Sequence, residues 1–324
     1  MSNRRRVRKQ KKNLSMSATA AFALILLAAA VFLVGVGLGW WPKKAVSASA
    51  FPADVDRLGE QGMSVHMLDV GQGDSLMVAS KGEVMLVDAG TNESGGTVCD
   101  YLGENGVTRL DLVVGTHPHE DHIGGLDTVL ENFPVDEMWM PDRVSDSKTY
   151  KEVLEAANAK GIQRRMPQVG EVKPLGGAEI TVLGPVRQDY ESTNDVSLVM
   201  TARYGGFGML LTGDAERQAL KDILDSANRK SLLCQVLKVG HHGSSTSTFP
   251  ELLDAVRPEV ALISLGAGNS YGHPHEEVLD ALMGRKVAVY RTDLMGSMMV
   301  ETDGETYRIY VEEQTNGNEL EPAA

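Results

Sequence analysis

From residue 63 onward, short apolar runs alternate with segments whose apolar residues recur at helical spacing. A short apolar run bounded by turn residues is typical of a buried strand, and apolar residues three and four positions apart mark one face of a helix. The alternation predicts two halves of mixed sheet with helices outside. Helices are predicted over residues 97–104, 123–132, 146–160, 215–227, 249–256 and 276–282, and strands over 64–70, 76–79, 84–88, 110–115, 137–140, 179–183, 197–204, 208–212, 235–239, 260–265, 287–290, 297–301 and 306–311.

The N-terminal part has a different pattern. Residues 18–41 are uncharged and mostly apolar, which is long enough to cross a bilayer, and Trp40 and Trp41 end the run as interfacial aromatic residues do. Seven Lys and Arg residues precede residue 13, so this flank is expected in the cytoplasm and the body outside it. The alternative is a signal peptide cleaved after Ala50, in the sequence Ala48-Ser49-Ala50, which would give a secreted protein.

These patterns divide the chain into five segments, and the expected location is the cell membrane, crossed once. The predicted segments are a basic cytoplasmic tail over residues 1–13, a transmembrane anchor or uncleaved signal over 14–41, a tether over 42–61, a folded catalytic body over 62–313 and a disordered tail over 314–324.

Metal-ligating residues are concentrated directly after the strand predicted at 110–115. His117, His119, Asp121 and His122 lie within six positions, although the chain has only eight histidines. Such side chains at a strand end suit zinc, iron or manganese, with an open position for water. The alternative is a polar turn with four unrelated side chains.

Two later strands also end in candidate ligands. Asp214 follows the strand at 208–212, where it either bridges two cations or caps the next helix. His241 and His242 follow the strand at 235–239. We expect His242 to ligate the second cation and His241 to donate to negative charge on the substrate, the reverse order being the alternative.

Further polar residues are candidates for substrate contact. His273 suits protonation of a leaving group or contact with a phosphate, and His275 either does the same or caps the following helix. Asn194, Ser244 and Ser245 are candidate phosphate contacts. His66 lies inside a predicted strand and is expected to be a core histidine.

The charge distribution limits the choice of substrate. Nine of the 31 Lys and Arg residues, but none of the 44 Asp and Glu residues, lie within residues 1–50, so the body is strongly acidic. An acidic body repels long polyanions unless metals or a basic patch compensate. The candidate patch, alternatively a solvated helix face, consists of Arg143, Lys148, Lys151, Lys160, Arg164 and Arg165.

The two cysteines, Cys99 and Cys234, are either paired or free and buried.

The sequence His-x-His-x-Asp-His-x-Gly-Gly resembles the signature of the metallo-β-lactamase superfamily. The resemblance implies an αβ/βα four-layer sandwich and two divalent ions, zinc or manganese, with Asp214 as the bridging ligand and Asp88 orienting the histidine cluster. Many members have another histidine before the Thr-Gly-Asp strand, but none lies between His122 and His241, and Asn194 and Asp195 are the nearest candidates. The implied ligands are His117, His119, Asp121, His122, Asp214 and His242.

Longer motifs are similar to the hydrolase domain of ComEC-type competence proteins: HMLDVGQGD ending at Asp74, NDVSLV from Asn194, KVGHHGSS from Lys238 and GAGNSYGHPH ending at His275. The resemblance implies hydrolysis of DNA or another phosphodiester by metal-activated water, with Asp121, His241 and His273 as the catalytic residues and no organic cofactor. One apolar segment does not make a multi-span pore, so we do not expect DNA uptake. The alternatives are a small-substrate surface hydrolase, of the phosphocholine-esterase or lactamase kind, and a surface binding module.

Overall fold

The computed structural model describes residues 48–51 and 56–312, and this part contains two β-sheets with helices on their outer faces. The strands are β1 (Ala48–Ala50), β2 (Met63–Met67), β3 (Leu76–Ser80), β4 (Glu83–Val87), β5 (Leu112–Val114), β6 (Met138–Trp139), β7 (Arg164–Arg165), β8 (Val172–Leu175), β9 (Ala178–Gly184), β10 (Val199–Tyr204), β11 (Phe207–Leu211), β12 (Val236–Lys238), β13 (Val260–Ile263), β14 (Ala288–Arg291), β15 (Met298–Thr302) and β16 (Tyr307–Val311). The helices are α1 (Gly95–Glu104), α2 (Glu120–Ile123), α3 (Leu126–Asn132), α4 (Lys148–Ala159), α5 (Arg217–Ser226), α6 (Arg229–Leu232), α7 (Pro250–Val256), α8 (Glu276–Met283) and α9 (Thr292–Met295), and short 3₁₀ turns lie at Asn194–Val196 and His241–Gly243.

Each sheet has an antiparallel part and a parallel part. The nine-stranded sheet has the order β1-β16-β15-β2-β3-β4-β5-β6-β7 and is parallel from β4 to β7. The seven-stranded sheet has the order β14-β13-β12-β11-β10-β9-β8 and is parallel from β14 to β11. The parallel strands matter for function, because loops at their carboxyl ends meet at one edge of each sheet.

Alternate residues of the strands enter different apolar cores. In β3, Leu76 and Val78 join a core that contains residues of both sheets, whereas Met77 joins the core under α1, α3 and α4. In the second sheet, Leu210 joins a third core under α5, α7 and α8. Since side chains alternate across a strand, two sheets packed face to face between helices give this arrangement. The structure therefore confirms the αβ/βα four-layer sandwich.

One predicted helix is interrupted for a steric reason. The helix predicted at 123–132 is two helices, α2 and α3, with Gly124 and Gly125 between them. A Cβ atom on Gly124 would lie 2.2 Å from the backbone nitrogen of Asn92, and one on Gly125 would lie 2.5 Å from the carbonyl oxygen of Ala89. The backbones approach so closely that only glycine fits, and the chain bends there.

Three strands that the pattern did not predict lie at sheet edges or beside them. β7 and β8 are short and mostly polar or exposed, so they lack the apolar alternation that identifies a strand. β1 lies within the segment predicted as a tether and pairs parallel with β16 through Ala48, Ser49 and Ala50. The short helices α6 and α9 were also not predicted.

Several other expectations can be compared with the described residues. His66 is fully buried, with Nδ1 2.9 Å from the hydroxyl of Tyr101 and Nε2 2.9 Å from the carbonyl oxygen of Arg57, which confirms a core histidine. Cys99 and Cys234 are both free, the first half-buried and the second buried. The predicted basic tail, anchor and C-terminal tail lie outside the described residues, within which no helix combines the length and apolarity that a bilayer crossing requires.

We predict that His66→Gln makes the protein less sensitive to acid. Burial lowers the pKa of His66 from 6.5 to about 3, so below pH 6.5 the unfolded chain takes up a proton that the folded chain refuses. Burying the neutral His66 therefore costs no unfolding free energy above pH 6.5, and the unfolding free energy decreases as the pH falls from 6.5 toward 3. Between pH 7 and pH 4, the unfolding free energy of the unmodified protein should fall by about 3 kcal/mol more than that of the variant. Denaturant titrations at both pH values measure this difference, and parallel losses would contradict it.

Candidate metal centre

The chemistry-bearing side chains follow the carboxyl ends of parallel strands in both sheets. Asp88 follows β4, residues 117–122 follow β5, Asp214 follows β11, and His241 and His242 follow β12. Because the two sheets pack face to face, these loops meet at one edge of the sandwich.

Two carboxylates and two imidazoles form the centre of this edge. One ligand atom from each of Asp121, His122, Asp214 and His242 lies within 4.8 Å of the others. His122 Nε2 is 3.1 Å from Asp214 Oδ2, and His242 Nε2 is 3.2 Å from Asp121 Oδ2 and 3.6 Å from Asp214 Oδ2. Asp214 Oδ1 and His122 Nε2 are buried without a hydrogen bond of good geometry to any described residue. This donor set fits a divalent metal ion.

Hydrogen bonds on the far side fix how the two imidazoles face the centre. His122 Nδ1 lies 2.9 Å from Asp88 Oδ2, and Asp88 also accepts hydrogen bonds from the backbone nitrogen and hydroxyl of Thr116 (2.8 and 2.7 Å). His242 Nδ1 lies 2.9 Å from the carbonyl oxygen of Ser264. Each Nδ1 therefore donates outward, which leaves Nε2 free to ligate. Asp88 has the geometry of the orienting role predicted for it.

His117 and His119 form a pair beside this group. His117 Nε2 is 3.0 Å from His119 Nδ1, and the rings of His117 and His122 are 4.2 Å apart between centroids. His117 Nδ1 lies 3.3 Å from the hydroxyl of Ser197, which also accepts a hydrogen bond from the backbone nitrogen of Asp214. The six predicted ligands thus lie around one centre, four in direct reach of each other and two adjacent, while their roles as ligands stay a prediction.

Asn194 and Asp195, the two residues considered in place of the absent third-motif histidine, have different surroundings in the structure. Asn194 lines the cavity above the centre, whereas Asp195 Oδ1 accepts from the backbone nitrogens of Glu216 and Ala219 at the start of α5. Asp195 therefore caps the helix that Asp214 was alternatively expected to cap, and Asp214 is left facing the centre.

A cavity of about 350 Å³ opens above the centre, a size near the lower end for ligand pockets. His242 is buried inside the four-residue group, whereas His241 is a quarter exposed with Nε2 3.8 Å from Asp214 Oδ2. His242 therefore lies inward and His241 lies at the cavity, while their roles as ligand and donor stay a prediction. The cavity is lined by Gln72, His119, Glu120, Asp121, Asn194, Asp214, His241, His242, Tyr271 and His273.

Ser244 and Ser245, predicted as phosphate contacts, do not line this cavity. The hydroxyl of Ser244 is hydrogen-bonded to Thr246 Oγ1 at 3.0 Å. The backbone nitrogen of Ser245 donates to His275 Nδ1 at 3.0 Å, and its hydroxyl lies 3.1 Å from the same atom. His275 stands at the start of α8 but makes no side-chain cap bond, so it braces the loop instead. A phosphate contact by Ser244 or Ser245 therefore stays a prediction, and a sequence motif does not show which way a loop turns.

Electrostatics keep the centre ionised. Burial opposes protonation of His122, but the charges of Asp214 and Asp88 outweigh it and raise the pKa of His122 well above its usual value. Burial likewise opposes ionisation of Asp214, yet His122 and His242 hold its pKa well below the usual range. Burial and the neighbouring His241 and His275 lower the pKa of His273 to about 4, so His273 is neutral near pH 7. The extra proton that this environment favours on His122 thus lies where a cation would bind.

Three residues of the centre adopt left-handed backbone conformations that side chains rarely take. The φ angles are 59° for Asp88, 48° for His241 and 52° for His242. Non-glycine residues in this region are uncommon and cluster at functional sites. The strain turns both histidines toward the centre directly after β12, and the sequence gives no signal of it.

Sequence reasoning missed a buried ion pair under the centre. Lys238, at the end of β12, and Asp74 are each 1% exposed, and the lysine ammonium contacts Asp74 Oδ2. Asp74 Oδ1 lies 3.5 Å from His242 Nδ1, and Lys238 Nζ lies 4.0 Å from Asp214 Oδ1. A lysine at the end of an otherwise apolar strand was the available signal, because lysine is almost never fully buried unless paired.

Half of the candidate basic patch is paired with carboxylates of the protein. Arg165 contacts Glu137 and Glu171, Lys148 contacts Glu152, and Arg164 contacts Asp142. The other three cations donate to backbone carbonyl oxygens, Arg143 to that of Glu191, Lys151 to that of Asp146 and Lys160 to that of Glu131. Since a carbonyl oxygen satisfies a donor without cancelling its charge, the pairing weakens the positive charge of the patch and does not remove it.

Comparison with known proteins gives a consistent result. The model of the metallo-beta-lactamase superfamily matches residues 68–267. ComE operon protein 3 of Bacillus subtilis (strain 168) is 31% identical over 252 residues, 72% of this chain and 32% of that protein. Recombination protein 2 of Haemophilus influenzae is 32% identical over 73% of this chain and 28% of its own, and Competence protein ComA of Neisseria gonorrhoeae is 30% identical over 74% and 32%. The chain spans about a third of the length of these relatives.

We predict that Asp214→Asn lowers the number of divalent ions bound per chain, because it removes a charge from the middle of the donor set. Elemental analysis after dialysis against Zn²⁺ or Mn²⁺ measures this number. Glu120→Gln is the matched control, since Glu120 lines the cavity but its carboxylate accepts from the backbone nitrogen of Asn92. Equal metal content in the two variants would contradict the site.

A second prediction concerns the buried ion pair. Lys238→Met should lower the unfolding free energy by about 3–5 kcal/mol, because the carboxylate of Asp74 then stays buried without its partner. Adding Asp74→Asn should recover part of this loss. Denaturant titration of the two single variants and the double variant measures the coupling, and strictly additive losses would count against the pair.

Proposed function

Because the chain belongs to the metallo-β-lactamase superfamily, we propose that this hydrolase is a metal-dependent phosphodiesterase that acts on DNA or another phosphodiester. The observation that carries the proposal is the centre formed by Asp121, His122, Asp214 and His242, with His241 and His273 on the cavity wall above it. Bound Zn²⁺ or Mn²⁺ ions would polarise a phosphate and lower the pKa of a water molecule.

The protein residues orient the reactants around these ions. The Asp121 carboxylate is about one-third exposed to the cavity. Burial opposes its ionisation, but the hydrogen bond from His242 and the charge of His122 lower its pKa, so it stays a carboxylate that accepts a hydrogen bond from water. Asp121 thereby aims the attacking water at the phosphorus.

His241 and His273 face the same cavity and supply donors for the phosphate oxygens. Their rings are 5.5 Å apart between centroids in an edge-on arrangement. Because His273 is neutral near pH 7, an N–H hydrogen bond to phosphate suits it better than proton transfer to a leaving group. Donors fixed before the substrate arrives favour the charge that develops at phosphorus.

Two features support a phosphodiester over a lactam. The further histidine that many superfamily members have before the Thr-Gly-Asp strand is absent here, and of the two candidates for its place only Asn194 lines the cavity. The cavity wall instead has two histidine donors, which suit a group with several anionic oxygens. The names of the curated relatives, which refer to recombination and competence, favour DNA among phosphodiesters.

The second candidate is a small-substrate surface hydrolase. The body is acidic, half of the candidate basic patch is paired with carboxylates, and the cavity is small. These features disfavour a long duplex, whose binding depends on many phosphate contacts. A single strand, a strand end or a small phosphodiester makes fewer such contacts and is compatible with this cavity.

We propose that the activity lies outside the cytoplasm. The reason is the basic N-terminal flank followed by the apolar run at 18–41.

The test is hydrolysis by the full-length chain, purified in detergent and loaded with Mn²⁺ or Zn²⁺. Substrates are bis-p-nitrophenyl phosphate, single-stranded and double-stranded DNA, p-nitrophenyl phosphorylcholine and a chromogenic lactam. We expect cleavage of bis-p-nitrophenyl phosphate and single-stranded DNA, with duplex slower. Asp121→Ala should lower kcat/KM by about a hundredfold or more.

The Glu120→Gln variant should keep its activity, because Glu120 lies at the cavity wall outside the four-residue group. Hydrolysis of the lactam alone would reverse the proposal, and preference for the phosphorylcholine ester over DNA would favour the second candidate. A chain that binds no stoichiometric metal and cleaves nothing would revive a surface binding module.

A further inference from the structure

One aromatic side chain at the mouth of the cavity is exposed although it is held in place. Tyr271 lines the cavity and is 65% exposed, and it is the only aromatic residue among the strongly exposed large apolar side chains of the described residues. A large exposed apolar group at a pocket is a common mark of a binding surface.

The loop that carries Tyr271 is rigidly tied. The Asn269 side chain accepts hydrogen bonds from the backbone nitrogens of Tyr271 (3.2 Å) and His273 (3.0 Å), and it donates to the carbonyl oxygens of Gly266 (3.2 Å) and His273 (2.7 Å). The backbone nitrogen of Gly266 donates to the side-chain oxygen of Gln72 at 3.2 Å. These hydrogen bonds hold the backbone of the loop and so place Tyr271 at the mouth of the cavity.

The ring of Tyr271 continues a row of rings that leads to the metal centre. It stacks on His273, with centroids 5.7 Å apart and planes 23° apart. His273 in turn lies 5.5 Å from the ring of His241, whose Nε2 is 3.8 Å from Asp214. One face of the Tyr271 ring is thus covered by His273, and its exposure leaves room on the ring for a flat partner.

We propose that Tyr271 is a stacking platform for the base next to the scissile phosphate, and that it selects nucleotides among phosphodiesters. The inference rests on the proposed function and adds to it the residue that recognises the base. A phosphate held at His241 and His273 leaves its neighbouring group beside Tyr271, and a base is the planar group that a phosphodiester commonly carries. Stacking on an aromatic ring tolerates any base, because every base has a flat π face.

Gln72 supplies a hydrogen-bond donor in the cavity that the Tyr271 ring lines. It lines the same cavity, and its side-chain oxygen is taken by the backbone nitrogen of Gly266, so its NH₂ group is the end that can donate to a ligand. An aromatic ring also attracts the quaternary ammonium of a phosphocholine group, but that ammonium cannot accept a hydrogen bond from the NH₂ group of Gln72, whereas a base can. The stacking platform therefore accounts for substrate choice without a basic surface.

The test compares two ligands that share sugar and phosphate and differ only in the base, thymidine 5′-monophosphate and 2-deoxyribose 5-phosphate. Calorimetry on the full-length, Mn²⁺-loaded chain should show the nucleotide binding about tenfold more tightly. Tyr271→Ala should abolish this difference by weakening the nucleotide alone, and Tyr271→Phe should retain it. Val144→Ala is the control, because Val144 is exposed but does not line the cavity.

Equal affinity for both ligands in the unmodified protein would overturn the inference, and so would a preference that survives Tyr271→Ala. Either result leaves the proposed function standing if bis-p-nitrophenyl phosphate is still cleaved. Conversely, a preference for the base that depends on Tyr271, without cleavage of any phosphodiester, would refute the proposed function and support the base site. A midpoint of thermal unfolding equal to that of the unmodified protein would show that each variant folds.

Discussion

The fold depends on positive groups that offset the negative charge buried between its two sheets. Asp74, Asp88 and Asp214 are all nearly inaccessible to water, and an isolated buried carboxylate is costly. His122 and Lys238 offset part of that charge inside the fold, and divalent ions would offset more. Because no single sheet contributes all these groups, closure of the sandwich and assembly of the metal centre are the same event.

The strained backbone around the centre is held by the same network. Asp88, His241 and His242 each adopt a left-handed conformation, which costs about 1–3 kcal/mol per residue in general. Hydrogen bonds from Thr116 to Asp88 and from His242 to Ser264 act against relaxation. The imidazoles are therefore oriented before any ligand arrives, as electrostatic catalysis requires.

Some structural features produce a recognisable sequence pattern and could be predicted, whereas others do not. Buried strands and amphipathic helices leave a periodic pattern, so two halves of mixed sheet with outer helices were predictable. The four-layer sandwich came from the family resemblance, which rests on the dense histidine cluster. The polar edge strand β8 and the break at Gly124 leave no such pattern, because packing partners far along the chain decide them. Asp74 and Lys238 went unassigned because burial of a charged pair is visible only in three dimensions.

The turn between β2 and β3 has a consequence for how this fold can vary. Gly73 accepts a hydrogen bond from the Ser264 hydroxyl at the end of β13, and a Cβ on Gly73 would lie 2.4 Å from the carbonyl oxygen of Asp121. This short turn thus joins the second sheet to the loop of the first sheet that carries Asp121 and the other candidate ligands. Length changes during evolution should therefore accumulate at the opposite end of the sandwich, and the two halves should be inherited as one unit, since exchanging either half alone would break this connection.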